Sequence, residues 1–284
     1  MTIQLMTDSS ADLPLFLKNK LHVEIVPLYL HFSDGQYKSG QTMDIELFHQ
    51  KVKELGEVPR SAAPSPSDFY EAYKQIPSEK QILMLSISNE ISSTYANALA
   101  GKEMLLEEEP DRVIEVLNTK TASCGICLLM HEANKKIEEK YEFDELVRHL
   151  TERIEQTATL FVLKSLDNLV LGGRLEKIKG KIAKTLNIKV LMKATNEGAI
   201  DVAEKVRGEK KSLKRFVDQI GEYTQDTENK VITMTYCRDK ERALNVLEKI
   251  RSKYAFNDAI LEESGPLIST YGGEGALVIS FFKK

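Results

Sequence analysis

Four short segments of the sequence concentrate side chains that could hold a small acid. The first, Thr7-Asp8-Ser9-Ser10-Ala11-Asp12-Leu13-Pro14, follows an apolar run and precedes a short helix. Its hydroxyls can meet an anion or simply cap that helix, as Ser and Asp do in any protein. The second, Pro59-Arg60-Ser61-Ala62-Ala63-Pro64-Ser65-Pro66-Ser67, reads as an ordered loop whose prolines fix its path. The third, Ser86 through Tyr95, carries Ser92, Ser93 and Thr94 at a predicted helix start, where free backbone N–H groups and the positive end of the helix dipole favour a carboxylate or a phosphate. The fourth, Gly265 through Ala276, sets Tyr271 among glycines, whose missing Cβ permits close backbone approach.

Other chemistries find less support. No segment has the glycine, four-residue, Gly-Lys-Ser/Thr pattern of a phosphate loop, and no dinucleotide fingerprint follows the first apolar run, so a nucleotide site is not expected. None of His22, His31, His49, His131 and His149 falls in a serine- or glycine-rich loop, which leaves a Ser-His-Asp arrangement without a placed base, although such arrangements are defined by geometry rather than spacing. Cys124 and Cys127 have the spacing of a redox or metal pair, but no second pair follows; they read as packing thiols, and no metal site is expected.

The formal net charge of −4, with both signs mixed, gives no basic field for nucleic acid or an anionic membrane. No apolar run approaches the roughly 20 residues of a spanning helix, and the first residues lack a basic region and a cleavage site. The expectation is a cytoplasmic protein with no stable membrane insertion and no nucleic-acid partner.

To position the four segments, the chain alternates short apolar runs with amphipathic stretches, the pattern of an α/β fold. Residues 3–7, 24–32, 81–87 and 113–118 read as strands; residues 43–55, 67–76, 94–108, 125–137 and 143–155 read as helices. A new run of elements begins at Thr159, so the expected organisation is a layered α/β domain over residues 1–158 and an α+β domain over 159–284. In the second, residues 188–194 and 200–206 flank the turn residues Asn196-Glu197-Gly198 as a hairpin. Helices at 213–223 and 241–254 then alternate with strands at 230–237 and 276–282. With no Pro- or Gly-rich linker between them, the halves should share an interface, and the cleft there is the default binding site.

In this order the four segments resemble the DegV family over nearly the whole chain. The aspartate-serine opening is followed by Pro27-Leu28-Tyr29-Leu30-His31-Phe32; Leu166-Asp167-Asn168-Leu169 with Gly172-Gly173-Arg174 is similar to the family's Leu-Asp-x-Leu and Gly-Gly-Arg signature, and Val206-Arg207-Gly208 to a further motif. The resemblance implies a two-domain fold with a lipid cleft between the domains. It also implies a long-chain fatty acid such as palmitate or oleate as ligand, no cofactor, and, in some members, a separate ATP-dependent kinase that phosphorylates the bound carboxylate. It assigns Ser61 and Ser92, with Ser93, Thr94 and Tyr271, to the carboxylate site; Arg174 and Arg207 read either as contacts with a partner protein or as structural ion pairs.

The sequence departs from the family pattern at several of these positions. Ser61 stands where the family has Thr, Ala62-Ala63 where it has Ser-Gln, Ser93 where it has a turn glycine, and Tyr271 where a His is frequent. A phenol can donate a hydrogen bond but does not shuttle protons near neutral pH. Lys177, Lys179, Lys181 and Lys184 form a basic stretch that reads first as a solvated helix face and second as a surface for a membrane or an acidic kinase. The expected function is therefore fatty-acid binding without catalysis, in lipid transport or fatty acid metabolism. The alternatives are a small-acid hydrolase or phosphotransferase using the same cleft, and a lipid-sensing regulatory partner.

Overall fold

The computed structural model describes residues 2–175 and 188–283; the lysine stretch 177–184 lies outside the described residues. The first half runs β1 (Ile3–Asp8), α1 (Leu15–Leu21), β2 (Glu24–Val26), β3 (Tyr29–Phe32), β4 (Gly35–Lys38), α2 (Ile45–Leu55), β5 (Arg60–Ala62), α3 (Pro66–Lys74), β6 (Gln81–Ser86), α4 (Thr94–Glu108), β7 (Ile114–Asn118), α5 (Cys124–Glu138) and α6 (Phe143–Gln156). Then follow β8 (Thr157–Val162), α7 (Asp167–Leu171), β9 (Ile188–Ala194), β10 (Ile200–Arg207), α8 (Glu209–Asp218), α9 (Ile220–Tyr223), β11 (Val231–Tyr236), α10 (Lys240–Lys253), β12 (Asp258–Glu263), α11 (Pro266–Gly272) and β13 (Leu277–Phe282).

These strands form three sheets. The first, β2-β1-β6-β7, is parallel throughout. Parallel sheets are covered on both faces and so read as continuous apolar runs; Ile82-Leu83-Met84-Leu85 is fully buried. Strand alternation divides that run: Leu83 and Leu85 pack with α5 and α6, while Ile82 and Met84 pack with Phe69, Tyr73, Ala98 and Leu105 of α3 and α4. The second sheet, β10-β9-β8-β13-β11-β12, is antiparallel except where β11 meets β12. The third, β4-β3-β5, is a small antiparallel sheet.

Helix α5 joins the two large sheets. Its residues Cys124 through Met130 are all buried, whichever way they point, as in a helix with no solvent face. It packs on β6 on one side and on β8, β11 and β13 on the other. Ile260 and Phe282 of the second half share a core cluster with β1, α5 and α6. The third sheet is also tied across: Leu267 of α11 completes the cluster of Leu28, Leu30, Phe32, Met43 and Phe48.

Several sequence expectations change: the helix expected over 213–223 is the pair α8 and α9, and β12 is an additional strand. The single strand expected over 24–32 is two: Pro27, which has no N–H to donate to a ladder, separates β2 on the first sheet from β3 on the third. The loop expected at Ser61 is strand β5, where Leu30 pairs with Ser61. The Gly-rich segment forms helix α11, with Pro266 in its first turn.

Candidate ligand-binding cleft

A cleft of about 880 Å³, open solvent at its mouth included, lies between the two halves. Its body is apolar: Leu28, Ile87 and Ile91 from the first half face Phe161, Leu163, Leu169, Ile200 and Val278 from the second, with Leu267 and Ile268 of α11. Its polar side chains are Ser61, Ser92, Thr121, Ser123, Thr159, Arg174 and Tyr271. Among the described residues the wall holds no histidine, cysteine or carboxylate.

Several of these polar groups are gathered together. Ser61 Oγ on β5 and Tyr271 Oη on α11 are 2.5 Å apart. The Arg174 guanidinium lies 5.0 Å from the centre of the Tyr271 ring, a stacking distance at which the ring face attracts a cation. Arg174 also donates from Nη1 to the Gly172 carbonyl at 2.6 Å and from Nε to the Ile91 carbonyl at 3.2 Å, which brings it beside Ser92. The glycines before Arg174 have a physical reason. A Cβ on Gly172 would stand 2.4 Å from the Tyr271 ring, and Gly173 has a φ of 74°, the left-handed region that favours glycine.

Ser92 is held in a tight turn between β6 and α4. The amides of Ile91 and Ser92 both donate to the Ser88 carbonyl, and Ser92 Oγ lies 2.7 Å from Thr94 Oγ1. The foot of this turn is anchored on Asp8, which accepts the Ile87 amide at 2.8 Å and the Ser86 hydroxyl at 3.3 Å; burial raises the Asp8 carboxyl above its ordinary value. Thr94 is fully buried behind Ser92, whereas Ser93 is exposed at the N-cap of α4, outside the cleft wall. Arg207 is exposed at the end of β10, also away from the wall. The structure thus brings Ser61, Ser92 and Tyr271 into one wall, with Thr94 supporting Ser92, and adds Arg174, which the sequence offered as a partner contact or an ion pair; Ser93 and Arg207 lie outside the wall.

Sequence reasoning missed three hydroxyls of the wall. Thr121 Oγ1 and Thr159 Oγ1 are 2.8 Å apart, and Thr159 continues to Ser280 Oγ at 2.9 Å. Ser123 opens α5 at a φ of 59°. Lone Thr and Ser residues separated along the chain give no local signal of such a contact. The cysteines are free and buried; burial pushes the Cys124 thiol up to about 11 and Cys237 to about 12, which keeps them protonated and unreactive at neutral pH.

The fold and cleft define a class: an α/β protein built on two large sheets and a small third one, whose halves enclose an apolar cavity with hydroxyls and the Arg174 guanidinium in its wall. The chain belongs to the DegV family, whose model, described as "Uncharacterised protein, DegV family", matches residues 2–284. A DegV domain-containing protein of Streptococcus pneumoniae is 30% identical over 284 residues, covering 99% of each chain. Among solved structures, a DegV family protein of Ruminococcus gnavus, refined with vaccenic acid, has a TM-score of 0.92 at 28% identity and 99% coverage of both chains. The fatty acid kinase (Fak) B3 protein of Streptococcus pneumoniae, loaded with linoleic acid, has a TM-score of 0.88 at 28% identity, covering 100% of both.

Proposed function

We propose that this protein binds one long-chain fatty acid in the cleft, with its carboxylate at Ser61, Ser92, Tyr271 and Arg174 and its acyl chain along the apolar body. The observation that carries the reading is the composition of the wall among the described residues: apolar residues from both halves, a gathered set of hydroxyls with the Arg174 guanidinium, and no acidic group to repel a carboxylate. The acyl ligands of two structural relatives support it. Burial contributes about 0.8 kcal/mol per methylene against about 1.5–3 kcal/mol for each hydrogen bond to a charged group, so about fifteen buried carbons, roughly 12 kcal/mol, match four such bonds at their strongest and outweigh them at their typical strength. Affinity then comes mainly from the chain and orientation from the polar group.

The protein carries out no chemistry of its own on the acid in this reading; it presents the carboxylate to a separate ATP-dependent kinase in the cytosol. The name of the Fak B3 relative supports that partner, and the exposed Arg207 is offered as a docking contact for it. The domain division after residue 158 belongs to the same proposal; it falls within β8 (Thr157–Val162), a strand of the second large sheet. Titration of delipidated protein with oleate and palmitate tests the reading. Saturation at one equivalent is expected; no uptake of either acid contradicts it and gives precedence to a hydrolase or phosphotransferase acting on a small acid in the same cleft.

A further inference from the structure

Asp12 is buried in the loop after β1, outside the cleft wall, and its two carboxylate oxygens have partners in different parts of the chain. Oδ2 accepts the Ser123 hydroxyl at 2.5 Å, where the chain enters α5; Oδ1 accepts the Gly265 amide at 2.8 Å, the residue that opens α11. Both partners govern the cleft. Ser123 lines it directly, and α11 supplies Leu267, Ile268 and Tyr271 to its wall.

A buried carboxylate is a costly way to fill space, because desolvation opposes its charge and an apolar residue of similar volume is often as stabilising. Lys18 is the nearby cation and Glu262 a nearby like charge. What a carboxylate supplies here that an apolar residue cannot is two acceptors held a fixed distance apart, spanning two walls of one cavity.

We infer that Asp12 is a positioning residue for the fatty-acid site: its carboxylate locks the start of α11 to the start of α5 and thereby holds Tyr271 against Ser61. This rests on the reading of the cleft as a fatty-acid site. Without the carboxylate, the Gly265 amide and the Ser123 hydroxyl lose their shared acceptor, and the first turn of α11 is left to Leu267 packing and the Ser264–Ser269 hydroxyl contact at 2.6 Å. Asparagine preserves the bridge, because its Oδ1 accepts the Gly265 amide while its amide group donates to Ser123 Oγ.

The test titrates delipidated wild type, Asp12→Ala and Asp12→Asn with oleate and follows amide hydrogen exchange over residues 265–272. Asp12→Ala should bind at least about tenfold more weakly, the equivalent of one lost charge-assisted bridge, with faster exchange in α11; Asp12→Asn should stay within about threefold of wild type, with α11 protected. Unchanged binding by Asp12→Ala, or equal losses in both variants, overturns the inference. If Asp12→Ala does not fold, Ser123→Ala, which removes one arm of the bridge, should show weaker binding and faster α11 exchange, and unchanged exchange overturns the inference. Failure of wild type to bind oleate overturns the cleft reading instead, while exchange in α11 still reports on the bridge.

Discussion

Ser61 on β5 of the small sheet and Tyr271 on α11, 210 residues apart in sequence, meet at 2.5 Å. In the proposed complex this pair offers hydroxyl donors to the carboxylate. Tyr271→Phe removes one hydroxyl and leaves the ring under Arg174, so oleate affinity should fall by about fivefold to twentyfold, the worth of a single hydrogen bond. Tyr271→Ala, which also removes part of the wall and the surface on which the guanidinium lies, should lose more. Equal effects of the two substitutions in calorimetry would place the energy in the phenol oxygen alone.

The hairpin between β9 and β10 closes against the first half through Gly198. Its carbonyl accepts the Ser88 hydroxyl at 2.8 Å; a Cβ there would stand 2.3 Å from Ser88 Oγ and 2.7 Å from Lys120 Cα, at a φ of 91°. Gly198→Val should therefore destabilise the fold by about 2–4 kcal/mol, combining a strained backbone with a steric clash. Because Gly198 also lines the cleft, oleate should dissociate faster. Thermal unfolding and stopped-flow release measure the two effects separately.

Stability should depend on pH through Asp12, whose carboxyl burial pushes from 3.8 up to about 7. The folded state then holds the proton more tightly than the unfolded chain, so the contribution is fully present below pH 3.8 and is lost as pH rises to about 7. Asp12→Asn lacks this titration. Its unfolding free energy should gain on wild type between pH 4 and pH 7 by on the order of 2–4 kcal/mol and then run level. Asp8, also raised by burial, titrates in both proteins and cancels in the difference. A constant difference across that range in denaturant melts would contradict the assignment.

The close contact between α3 and α4 gives a control remote from the cleft. A Cβ on Gly101 would meet Phe69 Cβ at 2.6 Å and the Pro66 carbonyl at 2.7 Å. Gly101→Ala should cost about 1–3 kcal/mol of stability by overpacking while leaving oleate affinity unchanged, since neither helix contributes to the cleft wall.

Much of this architecture is legible in the sequence because burial writes itself as periodicity. Ile82 through Leu85 is a continuous apolar run because both faces of its strand are covered, and Leu146, Leu150 and Ile154 mark the buried stripe of α6. Shorter elements are not legible. Three residues of β5 between prolines carry no period, and glycines at 272, 273 and 275 obscure the helical turns of α11. In β12, Asp258, Glu262 and Glu263 lie on an edge strand, where charge guards against further pairing but hides the strand pattern. The serine clusters signalled a polar site; the apolar wall did not, because Phe161, Leu163 and Val278 look like ordinary strand residues until the topology sets them opposite Ile87 and Ile91.

The most direct test of the central claim is mass spectrometry of small molecules extracted from natively purified protein, comparing wild type with the Ser61→Ala/Ser92→Ala double variant. The account predicts a fatty acid at close to one equivalent in wild type and clearly less in the variant. Absence of fatty acid from both proteins, together with failure to take up added palmitate or oleate, would contradict it.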